Sequence, residues 1–445
     1  MLCIAIVVAC SSDAQVGCSP GLTCSLRQAR FAPPALIDAG PQPCDLTLRR
    51  CTAARVSAGG EHTCAVSNDD NVLCWGDNSQ AQRGPTLDDP ADAHATQSSE
   101  GVQDAGLYVS KVSRVLNGAS QVAAGGAHTC ALLSDGSVRC WGRAVEGQVD
   151  GRSDRASVET PVDPGVSGAV QIAAGALHTC AVVPEGVVCW GSDQYGQSGQ
   201  EPSDGALAPS LIADTQGAVE VTCGVRHTCA RFDDSHVSCW GELIDDVGAV
   251  YQTALATPVA GLESAIGISA GGGHSCALTA DYHVVCWGHN ESGQLGDGTT
   301  QTIATPIAPL GLNESMKQVG AGGSELAGQL VGHSCAVTFR SEVVCWGRGA
   351  EGQLGIGEGS DQDSPGEHVL QAHPDTPAEA VLPQIERVAL GALHSCGLDS
   401  EGRVFCWGDN RSEQLGAGLG FAFDRQQDKE VPGRALEVSR FGPMR

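Results

Sequence analysis

The apolar positions of the chain fall into short runs separated by turns. Ala131, Leu132 and Leu133 are followed by Ser134-Asp135-Gly136 and then by Val138 beside Cys140, the apolar-turn-apolar pattern of a β-hairpin. An odd-numbered loop centred on Asp135, with Gly136 free to take positive φ, sets Cys130 directly opposite Cys140 in an antiparallel pair. A natural test of this register lies in the next unit, where Cys180 and Cys189 are one residue closer together. An unchanged loop would put them out of opposition, and a two-residue loop at Pro184-Glu185 restores it. Before each hairpin runs a strand of small residues, such as Val122-Ala123-Ala124-Gly125-Gly126 or Ile172-Ala173-Ala174-Gly175, in which glycine permits close approach of another backbone. After it come segments such as Gly293-Gln294-Leu295-Gly296, Gly352-Gln353-Leu354-Gly355 and Glu413-Gln414-Leu415-Gly416, and then another short strand.

This pattern recurs seven times. Its first half is His62-Thr63-Cys64, His128-Thr129-Cys130, His178-Thr179-Cys180, His227-Thr228-Cys229, His274-Ser275-Cys276, His333-Ser334-Cys335 and His394-Ser395-Cys396. Its second half is Cys74-Trp75-Gly76, Cys140-Trp141-Gly142, Cys189-Trp190-Gly191, Cys239-Trp240-Gly241, Cys286-Trp287-Gly288, Cys345-Trp346-Gly347 and Cys406-Trp407-Gly408, which together hold every tryptophan of the chain. About four strands per unit is the content of one β-propeller blade. Composition agrees: 59 glycines, 21 cysteines and only three methionines suit short strands and tight turns better than a helical core. A formal charge of -27 would repel phosphate backbones and anionic headgroups, which argues against nucleic acid as a partner.

The order Gly, His-Ser/Thr, Asp-Gly, Trp-Gly, Gly-Gln-Leu-Gly resembles the regulator of chromosome condensation repeats, over roughly residues 55 to 440. The resemblance implies an all-β, seven-bladed propeller of four-stranded blades whose ring is closed by strand exchange between the chain ends. On that reading Ala435-Leu436-Glu437-Val438 pairs into the blade of Cys64 and Cys74, leaving no open sheet edge, and residues 441–445 form a tail. A cysteine pair in every blade departs from the usual pattern of the family's eukaryotic members. Paired by hairpin, the staples are Cys64 with Cys74, Cys130 with Cys140, Cys180 with Cys189, Cys229 with Cys239, Cys276 with Cys286, Cys335 with Cys345 and Cys396 with Cys406. Seven of them imply an oxidising compartment. Metal ligation by His-x-Cys and the later Cys is the competing reading, although neighbouring strand side chains point to opposite faces.

Residues 2–9 form a short apolar run ending at Cys10 and resemble a bacterial lipoprotein signal, with Cys10 as the lipidated residue; a buried or disordered apolar end is the alternative. Residues 11–54 follow as a Cys- and Pro-rich tether. Its Cys18, Cys24, Cys44 and Cys51 allow three pairings, of which Cys18 with Cys24 and Cys44 with Cys51 is favoured. Cys223 is left as an odd thiol, expected to be a small buried residue. The expected location is the outer membrane, periplasm or cell surface.

Repetition argues against catalysis. A catalytic group needs its own environment, whereas the seven histidines share one and are expected to hydrogen-bond between strands inside each blade. The tryptophans are expected between adjacent blades. Acidic runs such as Asn68-Asp69-Asp70-Asn71 lack the ligand spacing of a calcium loop and suit solvated turns. No catalytic, cofactor or metal site is assigned. Individuality lies in three insertions, Pro85 to Gly118, Ser324 to Gly332 and Gly357 to Pro383, expected to form one rim of a binding face. The leading expectation is a monomeric exported scaffold that binds a protein or glycan and touches membrane only through a lipid anchor. The alternatives are an inhibitor of a secreted or periplasmic enzyme and, by the family resemblance, a guanine-nucleotide exchange factor.

Overall fold

The computed structural model describes residues 52–85, 113–356, 359–365 and 384–416, together with the backbone of residues 436–437. The calls on Cys10, Cys18, Cys24, Cys44 and Cys51 lie outside these residues, as do most of the first and third insertions. The described residues contain no helix and form seven antiparallel sheets. Each sheet is one blade. The second blade is typical: Ala119–Ala124, His128–Leu133, Val138–Arg143 and Ser157–Val162 lie side by side in sequence order. Six sheets have four strands; the sixth blade has three, and Gln362 makes a single antiparallel bridge to Gly347 at its outer edge.

The hairpin register is the one that the turns dictate. Cys130 faces Cys140 across a loop in which Gly136 has φ 80°. In the third blade Val183 pairs with Gly186 across the two-residue loop, and Cys180 still faces Cys189. All seven pairs are closed as disulfides with Cα atoms 4.1 Å apart. The Asn68–Asn71 run is the corresponding turn of the first blade, with Asp70 at φ 62°.

The core sits between blades. Cys64, Val66, Val72 and Cys74 of the first blade pack with Val115, Ala119, Val122, Ala131 and Trp141, and the same arrangement repeats around the ring. Glycines let the inner strands approach: the Gly60 and Gly126 amides donate to the Gly125 and Gly175 carbonyls at 3.0 and 3.1 Å. A Cβ on Gly125 would lie 2.3 Å from Cε1 of His128 and 2.6 Å from the Gly175 carbonyl oxygen.

Closure differs from the expectation. Leu436–Glu437 pairs with Cys406 and Phe405 in the seventh blade and not with the blade of Cys64 and Cys74. The physical reason is that the first blade already has its outer strand, Ser113–Leu116, paired to Val72–Cys74. The segment Pro85 to Gly118, expected as an insertion, therefore contains the fourth strand of that blade at Ser113–Leu116. The seventh blade is the one that needs a late strand. The ring closes laterally instead: Ala53, Ala65, Leu73 and Trp75 pack with Cys396, Leu398, Val404 and Leu415, and the Ala392 amide donates to the Gly59 carbonyl at 3.0 Å.

Candidate functional site

The histidines define what the ring holds constant. Each Nε2 meets a Thr or Ser hydroxyl of the following blade: His62 with Thr129, His128 with Thr179, His178 with Thr228, His227 with Ser275, His274 with Ser334 and His333 with Ser395, at 2.7–2.9 Å. His394 with Thr63, at 2.8 Å, completes the circle. The expected bond inside each blade is therefore corrected to one between blades. Glycine at the end of the adjoining strand lets the next blade come close at this point: a Cβ on Gly125 would meet both His128 and the Gly175 carbonyl of the following blade. Burial, the dominant cause throughout, lowers these histidines to about 3 for His62, His178, His274 and His333, and to about 4 for His128, His227 and His394. They are neutral structural groups at physiological pH.

A second constant element is a glutamine six residues beyond the glycine of Trp-Gly, from Gly76 to Gln82, Gly142 to Gln148, Gly191 to Gln197, Gly288 to Gln294, Gly347 to Gln353 and Gly408 to Gln414. All six glutamines are buried. The side chain locks its own turn: Gln294 Oε1 accepts from the Ser292 amide at 2.8 Å, and Gln353 Oε1 accepts from Glu351 at 3.0 Å. The main-chain carbonyl crosses to the next blade. Gln294 O accepts from Ser334 Oγ and from Trp346 Nε1, both at 2.9 Å; Gln82 O accepts from Thr129 and Trp141, and Gln353 O from Ser395 and Trp407. Because the hydroxyl donates to the carbonyl, it accepts from histidine, which fixes the Nε2–H tautomer at these boundaries.

The fourth blade breaks this rule. Six residues beyond Gly241 stands Val247, 87% exposed. The third and fourth strands, Val237–Ile244 and Val250–Pro258, instead continue into a hairpin closed by the Asp245 and Ala249 backbones. At the boundary with the fifth blade, Ser275 Oγ keeps His227, but among the described residues neither it nor Trp287 Nε1 is joined to a glutamine carbonyl. A cavity of about 280 Å³ opens there, with Ser275, Trp287 and Gly288 on its floor and Glu242, Asp246 and Tyr251 at its sides. Asp245 also lines it, and burial, followed by the Asp245 and Asp246 carboxylates, raises the Tyr251 hydroxyl above its usual value. Sequence reasoning missed this cavity; the missing glutamine was its signal.

The insertion Ser324 to Gly332 lies beside the cavity. In the sixth blade Met316–Leu326 and Gln329–Thr338 form an extended hairpin through residues 324 and 331. Glu325 reaches Arg226 of the fourth blade at 2.8 Å, and Arg226 also holds Glu242 at 3.1 Å while covering the Tyr195 ring at 4.5 Å. Burial alone would lower the Arg226 pKa, but the hydrogen bond and charge of Glu325, with Glu242, raise it overall. The hairpin thereby anchors the cavity's acidic wall.

Cys223 is buried and free, and burial pushes its thiol up to about 12. It lies near His178 and Cys180, but Cys180 is bonded to Cys189 and His178 Nε2 to Thr228. The disulfide removes Cys180 as a thiolate ligand.

A seven-bladed propeller with a hairpin disulfide in every blade, and one boundary unlike the rest, is the class that this geometry defines. Residues 53–82, 119–148, 169–197, 265–294 and 385–414 match the Regulator of chromosome condensation (RCC1) repeat, and each match ends on one of the buried turn glutamines. Five of the seven blades thus carry a match to the RCC1 repeat. Among curated relatives, the chain is 32% identical over 132 residues to the probable E3 ubiquitin-protein ligase HERC6 of Homo sapiens, covering 30% of this chain and 11% of that protein. It is 31% identical over 127 residues to the X-linked retinitis pigmentosa GTPase regulator of Mus musculus, covering 28% and 11%. The chain thus spans about a tenth of the length of these relatives. Human WBSCR16 shares the fold with a TM-score of 0.64 at 21% identity, covering 83% of this chain and 94% of that one. Yeast RCC1 (Prp20), solved bound to Kap60, gives 0.59 at 20%, covering 87% and 86%.

Proposed function

We propose that this propeller is an exported protein-interaction scaffold that recognises a protein through the face carrying the blade-six hairpin and the acidic cavity wall. The observation that carries the reading is the departure from sevenfold repetition. At six boundaries a glutamine carbonyl accepts from the hydroxyl of the next blade, while the fourth-to-fifth boundary is open and flanked by the one fully described insertion, pinned to it through Glu325, Arg226 and Glu242. A scaffold needs a repeated frame with a local exception, and exposed loops on a rigid frame are where binding concentrates. The seven disulfides support an oxidising compartment, and the matched relatives' ligase and GTPase-regulator names describe much longer proteins.

Capture from the oxidising compartment of the native host, using the whole chain and a variant in which Ser324 to Gly332 is shortened to a two-residue turn, tests the reading. The expected result is a protein retained by the whole chain and lost by the shortened variant at unchanged melting temperature. Identical captured proteins for both would contradict it.

A further inference from the structure

The open boundary has a defined chemical complement. At five of the other six boundaries the site above the Trp-Gly glycine is filled by a main-chain turn: Gln414 Cα would lie 3.1 Å from a Cβ on Gly76, Gln148 Cα 3.0 Å from one on Gly191, and Gln294 Cα 3.1 Å from one on Gly347. At Gly288 the nearest atoms belong to Gly273 and His274 of its own blade. The turn supplies a carbonyl to a hydroxyl and usually to an indole N–H, and the next side chain, Leu295, Leu354 or Leu415, enters the core between blades. At the fourth-to-fifth boundary the receiving groups are intact but the turn is not there. Ser275 and Trp287 are 2% and 7% exposed, and both line the cavity.

We propose that this cavity is a docking site for a turn of a partner protein that supplies what the fourth blade lacks. Its backbone carbonyl accepts from Trp287 Nε1 and Ser275 Oγ, an apolar side chain follows it inward, and a Lys or Arg beside it meets Glu242, Asp245 and Asp246. The occupant is a peptide segment because a main-chain carbonyl meets the equivalent hydroxyl at the other six boundaries. The cation follows from the acidic wall, where complementary charge sets orientation and encounter rate. Three carboxylates in a chain of net charge -27 disfavour an anionic segment. The inference deepens the scaffold reading and rests on it.

The probe is an acetylated and amidated peptide of sequence Lys-Gly-Gln-Leu-Gly-Lys, titrated into the full oxidised chain with tryptophan indoles labelled by nitrogen-15. One indole signal out of seven is expected to move, the one absent from Trp287→Phe. Affinity should fall at least about tenfold in Trp287→Phe, equivalent to about 1.4 kcal/mol, and equally in Ala304→Trp, which narrows the cavity from its lining. Trp407→Phe, in the seventh blade, should bind as the parent does. A scrambled peptide binding equally well, movement of another indole, or no movement up to about 1 mM, the affinity scale of a weak ligand, would overturn the proposal. Loss of the peptide result alone, with hairpin-dependent capture intact, would refute the cavity assignment and leave the scaffold reading standing. Failure of capture as well would remove both.

Discussion

Lowering the pH should dissolve the ring, because its seven histidines are buried neutral. A group whose folded pKa is depressed below its unfolded value of 6.5 binds fewer protons in the native state, so acid favours unfolding. Stability is full above pH 6.5 and is lost as pH falls toward 4 and 3, the native values of these histidines. At pH 5 each one disfavours the native state by about 2 kcal/mol, since the native form is still unprotonated there. Seven together reach about 14 kcal/mol, the scale of a whole domain's stability. Two carboxyls oppose them, Glu220, which burial raises, and Asp193, which it raises further. Burial pushes Asp193 up to about 7, so between pH 7 and 4 the native state holds a proton there that the unfolded chain has lost, and the two carboxyls together leave a net uptake of about five to six protons on unfolding. Urea unfolding of the oxidised chain at fixed ionic strength should therefore show stability rising with pH by about 7–8 kcal/mol per unit near pH 5. His178→Gln, which keeps an amide donor for Thr228, should reduce that slope by about one proton. A slope of fewer than about three protons, or one that His178→Gln leaves unchanged, would refute the inter-blade belt as the seat of these histidines.

Three further outcomes follow from the packing. Gly125→Ala forces a methyl against His128 and the Gly175 carbonyl and should cost about 1–3 kcal/mol of unfolding free energy, whereas Gly165→Ala, with open space around it but φ 85°, should cost about 1 kcal/mol through backbone strain alone. Trp346→Phe removes a donor from the Gln294 carbonyl and Trp287→Phe removes none, so denaturant melts should find the former less stable by about 1 kcal/mol beyond the common loss of ring area. Peptide mapping after alkylation without reductant should leave Cys223 unlabelled in the native protein and labelled after denaturation, with the fourteen hairpin cysteines recovered as seven linked pairs; labelling of most of them would contradict the oxidised propeller.

What the sequence made legible was local. The hairpin registers, including the shortened loop at Pro184-Glu185, followed from turn length and the two-residue period of a strand, and the blade count followed from repetition. Pairing of the outer strands did not, because Ser113–Leu116 is four residues long and hidden behind an insertion, while the last strand suited either terminal blade by pattern alone. The histidine partners were invisible for a different reason: they lie 48 to 67 residues ahead, and for His394 331 residues back, so only the ring brings them together. The cavity was legible in principle. Aligning the blades on Trp-Gly puts Val247 where six others have glutamine, but a missing residue becomes chemistry only once the structure shows that its carbonyl joins two blades.

The most direct measurement is photocrosslinking in the native host. A benzophenone amino acid at Tyr251, beside the cavity and 38% exposed, is compared with one at Leu211, 52% exposed on the third blade. The account predicts a discrete protein adduct from position 251 that disappears in Trp287→Phe and is absent from position 211. Equal adducts from both positions, or an adduct at 251 that is indifferent to Trp287→Phe, would contradict it.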